Sequence, residues 1–410
     1  MIADADVSDI LNVLEDAYLK LVNEDDPKTI VVHKTIHSLN RGDHEYKIQA
    51  LSMSGGRHEN VLLYIHGTSA SAALYSAAMK IIAASSPTEV HAIDLPGFGR
   101  SGSSNRGAFR HTLTKEEALD EYGRVIEAYV VEVLGGRRVV MLGHSFGAFV
   151  ALQFASKYPH LVQKLIMEAP GGLYPLFGEL GNYGALFFHA RLPQSLCRFA
   201  TAWFPVTVRR IAKRLIDRVF RGDRRGAVFV QYYFELLCDP RVTDHRYIGE
   251  FIDTNLAGSR CNSPALPELI EVMHRLPVCM VYGEHDVISP SHQGAALAEI
   301  FPEHMLRFEV IRGSGHSPHY DAGMRDFCAV VASFIDEQKQ NATFTHLPSY
   351  DSLGDLTKPF RGKYIGRSMR REIQAQYAAL EEWVKINMPS ERRRSPPSKA
   401  APGGVCLPRG

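Results

Sequence analysis

The chain lacks the features that would mark several large classes of protein. Its 46 basic and 45 acidic residues nearly cancel, leaving a formal net charge of +1. That balance supplies no overall attraction to nucleic acid, and no nucleic-acid partner is expected. The cysteines Cys197, Cys238, Cys261, Cys279, Cys328 and Cys406 are scattered, with no CxxC pair or other metal-like spacing. They fit free thiols in a reducing compartment rather than a zinc framework. No run approaches the eighteen or so apolar residues that a spanning helix needs, so any membrane contact is expected to be peripheral. The opening segment MIADADVSDI is acidic where a secretory or transit leader is basic, which predicts a cytoplasmic location.

What is present is the composition of a globular protein. The chain has 410 residues, 45% of them hydrophobic and 22% charged, enough for a full-sized core domain and an insertion. Residues 6–22 carry apolar residues at helical spacing, and 1–26 is read as an N-terminal helix. Two β-branched segments follow, IVVHKTI and YKIQALSM, then the apolar runs VLLYIHG (61–67), EVHAIDLPG (89–97) and RRVVMLGHS (137–145). Helical spacing occupies 74–84, 115–134 and 146–158 between and after them. This alternation predicts an α/β fold, a mostly parallel sheet with helices on both faces. In such sheets ligands bind where the strands' C-terminal ends open, so polar residues at strand ends are where chemistry is sought.

The alternation continues through KLIMEAPGG (164–172) and then stops. It resumes with LPVCMVYGEHD (276–286), a helix near 293–300, the strand MLRFEVI and a helix over 320–334. The core is therefore assigned to 27–170 and 271–338, with 171–270 inserted between two strands of one sheet. Residues 339–388 read as an extension with one more helix, SMRREIQAQYAALEEWVKI. The end, 389–410, is rich in Pro, Arg, Ser and Gly and reads as a disordered basic tail.

Gly143-His144-Ser145-Phe146-Gly147 matches G-x-S-x-G between a predicted strand and a predicted helix, the context that gives this pattern meaning. A turn so short strains the serine and pushes its hydroxyl out at the top of the sheet. A serine hydroxyl is a poor nucleophile near neutral pH; it needs a base, and the base needs a carboxylate to hold its tautomer. Asp286 closes one later strand, and His316 follows the next in RGSGHSPHY. Glu168 is an alternative acid and His319 an alternative base, although His319 is expected to begin the following helix and face elsewhere.

A tetrahedral oxyanion also needs donors. The N–H of Phe146 is one, and the loop His66-Gly67-Thr68-Ser69 offers a second, Thr68 first and Ser69 next. His66, Gly67, Ser69 and His144 are counted on the substrate side. His144 lies across the turn from the serine, which also fits a packed, hydrogen-bonded histidine. No metal and no organic cofactor is implied.

The motifs IHGTSAS, DLPGFGRSGSS, LGHSFGAFVALQFASKYP, GEHDVISP and GSGHSPH, in this order, resemble the α/β-hydrolase fold superfamily over roughly 60–170 and 275–335. The resemblance implies an eight-stranded sheet, a helical cap at 171–270 and hydrolysis through an acyl-serine intermediate. A serine at 145 disfavours the relatives that use an aspartate nucleophile.

The substrate is read from the insertion. LYPLFGELGNYGALFFHARLP and RFATAWFPVTV are aromatic and apolar, which suggests a pocket or rim for acyl chains and hence a lipid-like acyl ester. Within 209–225, RRIAKRLIDRVFRGDRR interleaves Arg and Lys with Ile, Leu, Val and Phe. That pattern suits peripheral contact with an anionic membrane, or else a cap helix with solvated arginines. His316 and Asp321 also satisfy H-x-x-x-x-D, a pair similar to that of a branch with lysophospholipid acyltransferases, N-acyl phospholipid lipases and cardiolipin deacylases. A prolyl-type aminopeptidase would need acidic groups in a cap that is instead basic. A non-enzymatic lipid-surface adaptor is the remaining alternative.

Overall fold

A computed structural model describes residues 30–171 and 266–337, apart from short interior stretches that include 54–57, 68–69, 105–114 and 287–288, together with Glu15, Asp16, Leu19, Lys20, Val22 and Asn23. Residues 172–265 of the inserted block, with its basic stretch 209–225, and everything after 337 lie outside the described residues, and so do nearly all of the expected cap, the last helix and the tail.

Eight strands form one sheet: β1 (His33–Arg41), β2 (His44–Met53), β3 (Asn60–Ile65), β4 (Thr88–Ile93), β5 (Val139–His144), β6 (Val162–Glu168), β7 (Val278–Gly283) and β8 (Leu306–Ile311). Their spatial order is β1-β2-β4-β3-β5-β6-β7-β8. Strand β2 runs antiparallel to both its neighbours, and every pairing from β4 to β8 is parallel. All eight segments read as strands from the sequence form strands.

The helices are α1 (Ser76–Ser85), α2 (Gly99–Ser104), α3 (Lys115–Ala128), α4 (Phe146–Lys157), α5 (Leu266–Met273) and α6 (Met324–Asp336). The central strands are apolar along almost their whole length because both faces are covered. On β3, Val61, Leu63 and Ile65 join one buried cluster with α3, α4 and α5. Leu62 and Tyr64 join the other, with α1 and α6.

Two helix boundaries differ from the sequence expectation. The turns after α3 widen into a π-helical segment over Tyr129–Val133, where the Tyr129 hydroxyl meets His91 Nδ1 at 2.9 Å. Helix α6 starts at Met324 rather than 320 because the Asp321 carboxylate gathers the Ser314 hydroxyl and the N–H groups of Gly315 and Gly323 into a tight turn. At the other end of α6, buried Lys164 of β6 donates from Nζ to the carbonyls of Phe334 (2.7 Å), Ile335 (2.8 Å) and Glu337. It satisfies acceptors that a helix end leaves open. Among the described residues, no helix is long and apolar enough to cross a membrane.

Candidate active site

Strand β5 ends at His144 and α4 begins at Phe146, so Ser145 alone makes the connection, at φ 52° and ψ −114°. A non-glycine residue there costs on the order of 1–3 kcal/mol and persists only where its surroundings hold it. They do so from three sides. The Ser145 N–H donates to the Glu168 carbonyl at 2.9 Å, and the Ser145 carbonyl accepts from Ala148 at 3.1 Å and Gly171 at 3.0 Å. The flanking glycines are required by close approach. A Cβ at Gly143 would fall 2.3 Å from the Gly147 carbonyl oxygen, and one at Gly147 would fall 2.2 Å from that of Ile65.

His316 lies in the loop between β8 and α6. Its Nδ1–H donates to Asp286 Oδ2 at 2.9 Å, while Asp286 Oδ1 accepts the Ser289 N–H at 2.8 Å, so the carboxylate is held from both oxygens. With Nδ1 committed, Nε2 is the nitrogen left to exchange a proton. His144 ties this loop to the serine turn: its Nε2–H donates to the His316 carbonyl at 2.8 Å, and the two rings lie 4.9 Å apart. The fold thus brings Ser145, His316 and Asp286 to the C-terminal ends of β5, β8 and β7.

The residues read as oxyanion or substrate groups fall into different places. Phe146 occupies the first position of α4, where a backbone N–H has no acceptor within the helix. Thr68 and Ser69 lie outside the described residues. His66 is fully buried and both its nitrogens are used: Nδ1–H donates to the Gly67 carbonyl at 2.8 Å, and Nε2 accepts the Leu95 N–H at 3.0 Å. Burial drives its pKa down to about 4, so it braces the loop after β3 as a neutral ring. Gly67 packs against His144, and a Cβ there would come 2.7 Å from His144 Nδ1.

His319 does not face away. It precedes α6, and its backbone N–H and Nδ1–H donate to Glu168 Oε1 at 3.0 and 2.8 Å. Its ring meets that of His144 at 4.8 Å. A second histidine–carboxylate pair, Glu168 with His319, therefore lies beside the first. The sequence signal for it is the three-residue spacing from His316 to His319, which turns both rings inward from one loop. Desolvation raises Glu168 to about 7 and lowers His144 and His319 to about 3. These three buried residues offer ligand atoms within 4.8 Å of one another, a set of metal-binding type among the described residues. Asp321 spends its oxygens on its own loop, in the turn ahead of α6.

A family model described as alpha/beta hydrolase fold matches residues 60–323. Among curated relatives, the 1-acylglycerol-3-phosphate O-acyltransferase ABHD5 of Sus scrofa is 26% identical over 307 residues, covering 71% of this chain and 82% of that protein. The (lyso)-N-acylphosphatidylethanolamine lipase of Homo sapiens is 27% identical over 304 residues, covering 71% and 83%. Among solved structures, a probable hydrolytic enzyme from Pseudomonas aeruginosa PAO1 superposes with a TM-score of 0.56 at 18% identity, covering 73% of this chain and 93% of that one. A bacterial membrane phospholipase A gives a TM-score of 0.54 at 17% identity, covering 80% and 91%.

Proposed function

Because the chain belongs to the α/β-hydrolase fold family, we propose that it is a serine hydrolase that cleaves carboxylic esters of lipid-like acyl groups through an acyl-serine intermediate. The observation that carries this reading is the 2.9 Å bond between Asp286 and His316, on a loop gripped by the residue preceding a strained serine. His316 Nε2 takes the proton from Ser145 Oγ as that oxygen attacks the ester carbonyl. The Phe146 N–H, with Thr68 as the second donor, receives the developing oxyanion. The ester C–O bond then breaks, and the leaving alkoxide takes the proton from His316. A water molecule, deprotonated by the same imidazole, attacks the acyl-serine and releases the acid. Asp286 keeps His316 in one tautomer and offsets its positive charge throughout.

The lipid-like acyl class is supported by the aromatic, apolar sequence of 173–208 and by relatives whose names specify acylglycerol phosphates and N-acyl phospholipids. In this reading 171–270 is a cap over the strand ends, 209–225 meets an anionic membrane surface, and the protein works in the cytoplasm. A second reading, acyl transfer to a lysophospholipid hydroxyl in place of water, is favoured by the acyltransferase relative alone. The second residue of the H-x-x-x-x-D pattern, Asp321, gives it no support because its oxygens are consumed within the loop.

The test is Ser145→Ala. It abolishes covalent labelling by a fluorophosphonate probe, and lipid profiles with active and Ser145→Ala protein identify the ester consumed. Labelling that persists at an unchanged level overturns the assignment. Acyl transfer announces itself as a new diacyl product when a lysophospholipid is supplied with an acyl donor.

A further inference from the structure

Among the described residues, two that are not glycine have a positive φ: Ser145 at 52° and Ala169 at 44°. The first is the candidate nucleophile. Ala169 opens the segment that leaves β6, and it precedes Pro170, a position where the backbone is ordinarily extended. A left-handed residue there persists only if its surroundings fix it. The segment it shapes closes around the serine turn: the Glu168 carbonyl accepts the Ser145 N–H at 2.9 Å, and the Gly171 N–H returns to the Ser145 carbonyl at 3.0 Å.

Two bonds hold that segment from outside. The Ala169 N–H donates to the Val281 carbonyl of β7 at 2.8 Å, and the buried Ser289 hydroxyl donates to the Pro170 carbonyl at 2.6 Å. The second is a side-chain bond of ordinary O–H···O length. The Pro170 carbonyl and the Gly171 N–H are the two ends of one peptide group, which is planar and trans. Ser289 therefore orients the same plane that holds the nucleophile's carbonyl. If that plane turned, both bonds would break together. The Ser289 N–H in turn donates to Asp286 Oδ1 at 2.8 Å, and Asp286 Oδ2 takes the His316 Nδ1–H at 2.9 Å.

We propose that Ser289 is a positioning residue that keeps the nucleophile's turn in line with the acid–base pair. Its backbone N–H fixes Asp286, and its hydroxyl fixes Ser145 through the Pro170–Gly171 peptide. The proposal rests on the hydrolase reading, which gives Ser145 and His316 their roles. Strand β6 lies between β5, which leads to the serine, and β7, which leads to the acid. Ladder bonds locate the strand ends, but Asp286 and Ser289 lie beyond the end of β7, where the ladder has stopped. Their alignment with Ser145 depends on the bonds between the loops. Loss of the Ser289 hydroxyl leaves the sheet and the Asp286–His316 bond in place and frees the peptide beneath Ser145.

Ser289→Ala removes the hydroxyl and keeps the backbone N–H, whereas Ser289→Cys keeps nearly the same volume with a thiol that is a weak donor. Fluorophosphonate labelling over a range of probe concentrations gives the rate constant at saturation, the half-saturating concentration and the fraction of protein labelled at completion. Both variants label completely, with the saturating rate lowered about tenfold and half-saturation within about twofold of the parent. Amide exchange at Gly171 speeds up about tenfold in both, while that of Leu165, bonded across the sheet to the Pro277 carbonyl, stays at the parent rate. A residue that only stabilised the fold would lower the melting temperature or the labelled fraction and leave the saturating rate unchanged. A saturating rate equal to the parent's in folded Ser289→Ala, a Ser289→Cys protein as fast as the parent, or unchanged Gly171 exchange in both variants overturns the proposal. If Ser289→Ala does not fold, Ser289→Cys carries the same test. Labelling that persists in Ser145→Ala sinks the hydrolase reading by itself. The exchange at Gly171 still decides whether Ser289 holds the peptide.

Discussion

Gly147→Ala isolates the contact that fixes the serine turn in place. The added Cβ would stand 2.2 Å from the Ile65 carbonyl oxygen and 2.4 Å from that of His66, where ordinary contact begins at 3.4 Å. Both atoms are backbone, at the end of a strand hydrogen-bonded on both sides, so neither can rotate away. Helix α4 must lift from β3 by about 1 Å. Overpacking of this kind costs on the order of 3 kcal/mol. For a domain of this size that lowers Tm by roughly 6–12 °C. The lift also carries Ser145 and the Phe146 N–H out of line with His316, and a displacement near 1 Å costs about a hundredfold in rate.

Gly135→Ala is the matched control. Gly135 has φ +66° with nothing within 4 Å of an added Cβ, so it bears only the left-handed backbone cost of about 1–2 kcal/mol. Thermal unfolding and the fluorophosphonate labelling rate, measured on both variants, separate the two effects. Gly147→Ala loses both stability and labelling, and Gly135→Ala loses a little stability alone. A Gly147→Ala protein that melts no lower than Gly135→Ala and labels at the parent rate would refute the steric argument.

Lys164→Met removes three N–H donors from the last carbonyls of α6 and leaves them poorly satisfied; a loss of roughly 2–4 kcal/mol is expected in denaturant unfolding, with labelling of Ser145 unchanged in the folded protein. Stability should also peak near pH 6.5. Asp94 and Glu168 have folded pKa values raised to about 8 and about 7, so each binds its proton more tightly in the folded state, and its contribution is lost as pH rises toward those values. His66, His144 and His319 have folded values lowered to about 4, 3 and 3, so theirs is present above 6.5 and lost as pH falls. Between pH 5 and 6.5 the three histidines outweigh the two acids, and above 6.5 the acids act alone. A Tm that climbs steadily from pH 5 to pH 8.5 at constant ionic strength contradicts this balance.

The sheet was legible because its strands are short apolar runs closed by Gly, Asp or Ser, and because the change from strand to helix period falls at Ser145 itself. The preference for Asp286 over Glu168 as the acid had less to rest on. Strands β6 and β7 are neighbours, with Glu168 level with Val281, so both candidate carboxylates emerge on the same side of the molecule. Sequence order alone puts each at the end of a strand. What separates them is reach. Asp286 lies beyond the end of β7 and meets His316, whereas Glu168 is still within β6 and meets the histidine three residues further along the same loop.

His66 shows the same limit from the other side. It reads as a substrate residue because it ends a strand beside the serine, yet its Nε2 is taken by Leu95, which follows β4. Only the crossing of β3 between β4 and β5 puts Leu95 within its reach, and strand order is a property of the assembled sheet. His66, Glu168 and His319 share one trait: each is buried and bonds at least one polar atom to a segment distant in sequence. Buried polar groups must find partners, and here those partners belong to neighbouring strand ends and loops. A strand-end histidine or carboxylate is therefore a weak guide to which group touches substrate, until the hydrogen bonds behind it are known.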